Sequence, residues 1–336
     1  MDRSIKISVD LMGGDNSPKK TIEGINLFLS RSKVNDCFFY LYGDKNKVQN
    51  LIDEKKLLKN KYQLIDTKIL VSNELSAMSA LKKGKGSSMW ESIHSQISLD
   101  SDVTLSAGNT GVFLVMSKMI LKTMEGINKP ALAALWPSEK GMNLVLDLGA
   151  NVECSEKNLI DFSIMGSSVF KSLYPEEEAK VALLNIGSES IKGNETIKNT
   201  YNKLREMKND FIFKGYVEGN NIMSGNVNVI VTDGFTGNIA LKTAEGTANF
   251  ITSELRKAYT NSVMGKLSSL LNINNLKKFK EKLDPRLYNG AILLGLDSPV
   301  IKSHGGTDYI GFSNSLNVCS RVIKGNLIQK IKQKIN

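Results

Sequence analysis

Five stretches of this chain join an apolar, β-branched run to a turn of Gly, Asn, Asp, Ser or Thr: ISVDLMGGDNSP, VTLSAGNTG, LVLDLGAN, VIVTDGFTGN and VIKSHGGTD. Glycines in such a turn expose backbone N–H groups, and a following helix adds the positive end of its dipole. An anion, phosphate or acyl phosphate, is therefore the ligand these residue types favour. The first stretch carries Asp10, Gly13, Gly14 and Asp15 ahead of Ser17-Pro18. It is not Gly-x-Gly-x-x-Gly, and no Gly-x-x-x-x-Gly-Lys-Ser/Thr occurs, which disfavours dinucleotides and nucleoside triphosphates.

The remaining turns supply donors of other kinds. Asn109 and Thr110 stand between Gly108 and Gly111, where their side chains can bond a ligand that also touches backbone. Asp147 to Asn151 makes a similar turn, and Asp233 with Asn238 repeats the order of acid, glycine and amide. Lys192, in NIGSESIKGNE, is a point charge able to hold phosphate or a developing oxyanion. Lys302, Ser303 and His304 place a cation, a hydroxyl and an imidazole side by side. There is no Gly-x-Ser-x-Gly elbow, Cys154 and Cys319 lie in helical or apolar contexts, and the two histidines, His94 and His304, are far apart. Direct transfer without a metal, cofactor or covalent intermediate is the chemistry expected.

These turns need a sheet to hold them. Strand-like runs near 5–9, 38–42, 103–105, 144–148, 181–186 and 227–231 alternate with helical periodicity, the α/β pattern of a mostly parallel sheet. Ser17 before Pro18 reads as an N-cap and first helical residue, and Ser88 to Glu91 as a capping box. With 336 residues and 41% hydrophobic content the chain buries a large core. At roughly 150 residues per domain that length suggests two lobes. The turn motifs run from one end to the other without a linker, so the expectation is one unit over residues 1–336 whose two lobes share one cleft.

Three cysteines, never in a Cys-x-x-Cys pair, support neither a disulfide framework nor a zinc site. Met1 to Ser4 lead straight into a strand with no leader-like segment, and no apolar run approaches the roughly 18 residues that span a bilayer. A cytoplasmic protein is expected. The net charge of +10 is regional: residues 256–286 hold eight Lys/Arg against two acids, and 321–336 hold five against none. Aromatic residues are not interleaved with these cations as a nucleic-acid surface would require, so nucleic acid is not an expected partner. Within 256–286, Val263, Met264, Leu267, Leu270 and Leu271 fall at helical spacing amid Ser, Asn and Lys. This amphipathic stripe suits either an anionic bilayer or packing against the core or a dimer partner.

VDLMGGDNSP, KKGKGSSM, LSAGNTG, LDLGANVEC, NIGSESIKGNE, VIVTDGFTGNIALKTAEG and VIKSHGGTD, in this order over essentially the whole chain, resemble the bacterial phosphate acyltransferase (PlsX-type) family. Ser188 and Ser190, where relatives are often more acidic, and Tyr216, where Asn is common, depart from its pattern.

The resemblance implies a three-layer α/β/α fold related to the isopropylmalate dehydrogenase and phosphotransacetylase type, and a homodimer. It implies transfer of a fatty acyl group from acyl-carrier protein to inorganic phosphate, giving acyl phosphate for the membrane glycerol-3-phosphate acyltransferase that begins phospholipid synthesis. It also favours peripheral membrane contact through the helical protrusion at 256–286. Under this reading Lys192 and Asn238 serve the reacting centre, with His304 and Lys302 assisting phosphate or protonating the departing thiolate. Asp10, Asp233, Gly13, Gly14, Asn109, Thr110 and Ser303 line the phosphate or pantetheine site. The basic C-terminal third suits acidic acyl-carrier protein as well as a membrane. An acyl-CoA-dependent phosphotransacetylase and a non-enzymatic membrane scaffold are the alternatives.

Overall fold

A computed structural model describes residues 4–31, 37–71, 77–208 and 210–335. Residues 1–3, on which the expectation of no leader draws, lie outside the described residues. Eleven strands form one sheet: β1 (Ile5–Asp10), β2 (Cys37–Gly43), β3 (Tyr62–Asp66), β4 (Val103–Ser106), β5 (Ala131–Ser138), β6 (Gly141–Leu146), β7 (Lys180–Asn185), β8 (Ile212–Glu218), β9 (Val229–Val231), β10 (Ala291–Leu294) and β11 (Val300–Lys302), in the order β3-β2-β1-β4-β11-β10-β5-β6-β9-β7-β8.

The sheet consists of two parallel blocks of opposite sense. β3, β2, β1, β4 and β11 run together, and so do β6, β9, β7 and β8. Between them β10 pairs antiparallel with both β11 and β5, and β5 pairs antiparallel with β6. Following the alternation across the sheet, the carboxyl ends of the two blocks point in opposite directions along it. "Mostly parallel" therefore holds for most neighbouring pairs, while the antiparallel centre divides the five glycine turns into two groups.

Helices cover both faces, which makes the fold a three-layer α/β/α sandwich. On one face Ile22, Ile25 and Phe28 from the helix Lys19–Arg31 pack over Ile7, Val9 and Phe39, beside Phe312 and Leu316 from Tyr309–Lys324 and Phe162 from Glu156–Leu173. On the other, Met89 and Ile93 from Ser88–Ser98 and Phe113 and Met116 from Thr110–Leu121 pack over Val145, Ile230 and Val300. Ala240, Leu241 and Ala244 of the helix Gly234–Thr260 lean on this second cluster. The strands are hydrophobic on both faces because both faces are covered.

Beyond Ala244 the chain leaves the body of the protein. The long helix ends at Thr260, and Val263–Leu271 and Ile273–Leu283 follow with no buried residue in either. Val263 is 83% exposed, Leu270 65% and Leu271 83%. The stripe thus has no partner in its own core, and the protrusion begins inside the long helix, ahead of its basic residues. No helix among the described residues is long and apolar enough to cross a membrane.

Two helix starts differ from the sequence expectation. Ser87, not Ser88, caps its helix, accepting from the Trp90 N–H at 3.2 Å. Ser17 does not cap: its hydroxyl donates to the Gly13 carbonyl at 2.6 Å, and the helix begins at Lys19. In both cases one serine is taken up by the turn that lies over the site.

Candidate active site

Three of the five turns meet at the carboxyl ends of β1, β4 and β11. The Ser106 hydroxyl donates to Asp10 Oδ2 at 2.6 Å, and the Ser303 N–H continues the β4–β11 ladder by donating to the Ser106 carbonyl at 2.9 Å. The Asp15 N–H donates to the Gly305 carbonyl at 3.0 Å. A β-carbon at Gly13 would lie 2.6 Å from both Asp10 Oδ2 and the Gly108 nitrogen, so the turns approach to a distance that glycine alone permits. Gly14, at φ +82°, sits against the carbonyls of Ala107 and Gly305 in a conformation unfavourable for any other L-residue.

Charge is concentrated beneath these turns. Asp10 is 1% exposed. Burial raises its carboxyl pKa, opposed by hydrogen bonds from Ser106, Ser88 and the backbone of Met12 and Gly13. Lys302 is buried at the end of β11 and donates to the Ser303 carbonyl; burial first, and the neighbouring Lys20 second, pull its ammonium down to about 7, while Asp10 pulls it up. Lys20 is also buried and donates to the Gly305 carbonyl at 2.6 Å. Lys20 is absent from the sequence expectation. Its signal was positional, since a cation in the first turn of a helix opposes the dipole.

His304 is held by Asn289, a second residue absent from the sequence expectation. The Asn289 amide donates to Ser303 Oγ at 2.9 Å, and its carbonyl oxygen accepts from the His304 N–H at 2.9 Å. The imidazole Nδ1 accepts from the Gly306 N–H at 3.2 Å, which assigns the proton of the neutral ring to Nε2. Partial desolvation lowers the imidazole pKa; Glu245 raises it and Lys242, Lys302 and Lys20 lower it further.

A cleft opens beside this cluster. Asp10, Gly13, Gly14, Ser88 and Gly108 form its polar wall, and Met12, Leu70, Val71 and Met89 its apolar wall. Asn109 caps the adjoining helix by accepting from the Val112 N–H at 3.1 Å, and Thr110 is exposed at its start.

The other two turns meet each other at the ends of β6 and β9. Buried Asp147 accepts from the backbone of Leu132, Ala150 and Asn151 and from the Asn151 side chain, which makes it the clamp of its turn. The Gly234 N–H donates to the Asn151 carbonyl at 2.8 Å, and the Gly149 α-carbon faces Asn238. Asp233 caps the long helix, its two oxygens taken by the N–H and hydroxyl of Thr236 at 2.8 Å each. Asn238 is exposed on the first turn, and Lys192 is exposed in the turn after β7, the strand next to β9. Asn238, Lys242 and Glu245 share one face of the helix at i, i+4, i+7. That face links the second group to the first, because Lys242 and Glu245 act electrostatically on His304.

Cys154, just ahead of the helix Glu156–Leu173, and Cys319, inside Tyr309–Lys324, are poor nucleophiles. Burial, followed by the Asp147 charge, pushes Cys154 up to about 11, and fully buried Cys319 is raised further.

Comparison with known proteins supplies what geometry leaves open. Residues 5–330 match the family model described as "Fatty acid synthesis protein". The chain is 66% identical over its whole length, and that of the relative, to a phosphate acyltransferase of Pelagibacter ubique. It is 42% identical to one of Rhodospirillum rubrum, over 100% of this chain and 95% of that one. Among solved structures it resembles a phosphotransacetylase from Streptococcus pyogenes (TM-score 0.63, 14% identity, 97% and 94% of the two chains). The EutD phosphotransacetylase from Staphylococcus aureus is also similar (TM-score 0.59, 16% identity, 96% and 94%). These structures share the fold. The full-length relatives and the family match make the chain a member of the phosphate acyltransferase family, an enzyme that transfers an acyl group to phosphate.

Proposed function

We propose that this enzyme takes a fatty acyl group from acyl-carrier protein and delivers it to inorganic phosphate, and that the acyl phosphate goes on to a membrane glycerol-3-phosphate acyltransferase. The observation carrying this reading is the mixed lining of the cleft: apolar Met12, Leu70, Val71 and Met89 suit an acyl thioester, beside glycine turns with buried lysines behind them. A phosphate oxygen attacks the thioester carbon, the carbonyl oxygen carries the negative charge of the tetrahedral adduct, and the C–S bond then breaks. Phosphate is already anionic, so the protein's task is positioning and charge. Each well-placed donor to the oxyanion is worth about 3 kcal/mol. Lys192 and Asn238 are the residues proposed for it across the shared cleft of the two lobes. His304 is proposed to offer its Nε2 proton to the phosphate or the departing thiolate. Asp10, Gly13, Gly14, Asn109, Thr110, Asp233, Lys302 and Ser303 form or brace the surrounding turns.

The exposed cations Lys277, Lys278 and Lys280 lie beside the apolar tip of the protrusion. Large exposed apolar patches mark interaction surfaces, and basic ones favour anionic lipid. The tip is accordingly proposed to rest on an anionic membrane, with a homodimer as the assembly. Incubating the pure enzyme with acyl-acyl-carrier protein, with and without phosphate, tests the reaction: phosphate-dependent thiol release with a hydroxylamine-trappable acyl product is expected. Equal turnover with acyl-CoA would transfer the assignment to the phosphotransacetylase reaction, and thioester loss independent of phosphate would overturn it.

A further inference from the structure

We propose that Lys20 and Lys302 together form a receptor for a tetrahedral dianion, so that phosphate enters this site doubly charged, and that Lys20 supplies the second cation. The inference rests on reading the cleft as the place where phosphate reacts. Lys20 is 4% exposed and Lys302 6%, yet neither forms an ion pair within 4 Å among the described residues. Each ammonium donates to one carbonyl, Lys20 to Gly305 and Lys302 to Ser303, leaving two of its three N–H groups without a protein acceptor among those residues.

The carboxylates within reach do not balance them. Asp15, which acts on Lys20, is exposed to solvent, and Asp10, which acts on Lys302, is already held by two serines and two backbone groups. Charging a buried amine is costly without a partner, so two such amines with unused donors favour an anion whose charge pairs both. Lys20 lies just behind the glycine turn that borders the cleft. A β-carbon at Gly14 would come within 2.9 Å of Lys20 Nζ, and Gly14 also borders the cleft. A phosphodiester, such as the one in the pantetheine arm, carries a single charge and would leave one ammonium uncompensated.

Calorimetric titration of the enzyme with inorganic phosphate, without any acyl donor, tests the proposal. Phosphate is expected to bind, sulfate to compete, and dimethyl phosphate, a monoanion, to fail to compete. Lys20→Met and Lys302→Met should each weaken phosphate binding at least tenfold while changing acyl-thioester KM less than twofold; Lys20→Arg should retain most of the affinity. Phosphate affinity within twofold of wild type in both Met variants overturns the receptor, as does dimethyl phosphate competing as well as sulfate. If Lys20→Met does not fold, Lys20→Arg and the anion series on the wild type decide by the same criteria. Lys20-dependent phosphate binding in a protein that leaves acyl-acyl-carrier protein intact supports the receptor while overturning the donor assignment. Normal acyl transfer with unchanged phosphate KM in the Met variants does the reverse.

Discussion

The hydroxyl of Ser106 reaches across the β1–β4 pair to Asp10 Oδ2 at 2.6 Å, and this bond holds together the two turns that form the polar wall of the cleft. Ser106→Ala should leave Asp10 buried with one donor fewer, costing about 1–3 kcal/mol in urea unfolding. Burial raises the folded pKa of Asp10, so its ionisation makes folding less favourable as pH rises from the unfolded value of 3.8 toward the folded one. Asp10→Asn should remove that component. A stability–pH profile unchanged by Asp10→Asn would mean that Asp10 is not the group responsible.

Lys302 has the opposite sign. Its unfolded value is 10.5 and its folded value about 7, so the unfolded chain binds more protons in between and stability should climb with pH over that range. In Lys302→Met this climb should be absent. Phosphate stabilises the charged ammonium, so its binding near pH 8 should take up a proton, seen as a buffer-dependent calorimetric enthalpy.

Gly14→Ala places a methyl group between the carbonyls of Ala107 and Gly305 at φ +82°. A stability loss of at least about 1–2 kcal/mol is expected. Phosphate KM should rise more than acyl-thioester KM. Equal effects on both would show that Gly14 shapes the cleft as a whole.

Lys192 is hydrogen-bonded through its backbone, and its side chain is exposed. Lys192→Ala should therefore melt within a degree or two of wild type while acyl phosphate formation falls by orders of magnitude. A near-normal rate would take Lys192 out of the chemistry.

Leu270→Glu with Leu271→Glu alters side chains that are 65% and 83% exposed, so stability should change by less than about 0.5 kcal/mol. Co-flotation with anionic vesicles should be lost. Reversing Lys277, Lys278 and Lys280 to Glu separates the two roles of the basic region: weakened acyl-carrier-protein kinetics with vesicle binding intact would overturn the membrane assignment.

Most of the parallel strands were legible because buried parallel strands read as unbroken apolar runs; β1, β2, β4, β6, β7 and β9 fall within a few residues of expectation. β5 escaped because it contains Trp136 and Pro137, β3 because it is a half-exposed edge strand, and β8 because it interleaves Lys214 and Gly215. The turns were legible too, since Gly, Asn and Asp cluster where these strands end. Their grouping was not, because the reversal of the sheet at β10, β5 and β6 depends on pairings between distant residues. Lys20 and Asn289 were hidden for the same reason: Lys20 looks like any helical lysine until Gly305 is laid over it, and Asn289 like any loop amide until β11 brings Ser303 and His304 beside it.

The face that Asn238, Lys242 and Glu245 share sets a tolerance on evolution of this chain. One residue inserted between Asn238 and Lys242 would advance the later pair by 1.5 Å and swing it by about 100° around the helix axis, out of phase with His304. Only insertions near a whole number of turns keep that face turned toward His304. Length variation among relatives should therefore collect beyond Ala244, where the helix has left the core and its phase no longer matters to the cleft.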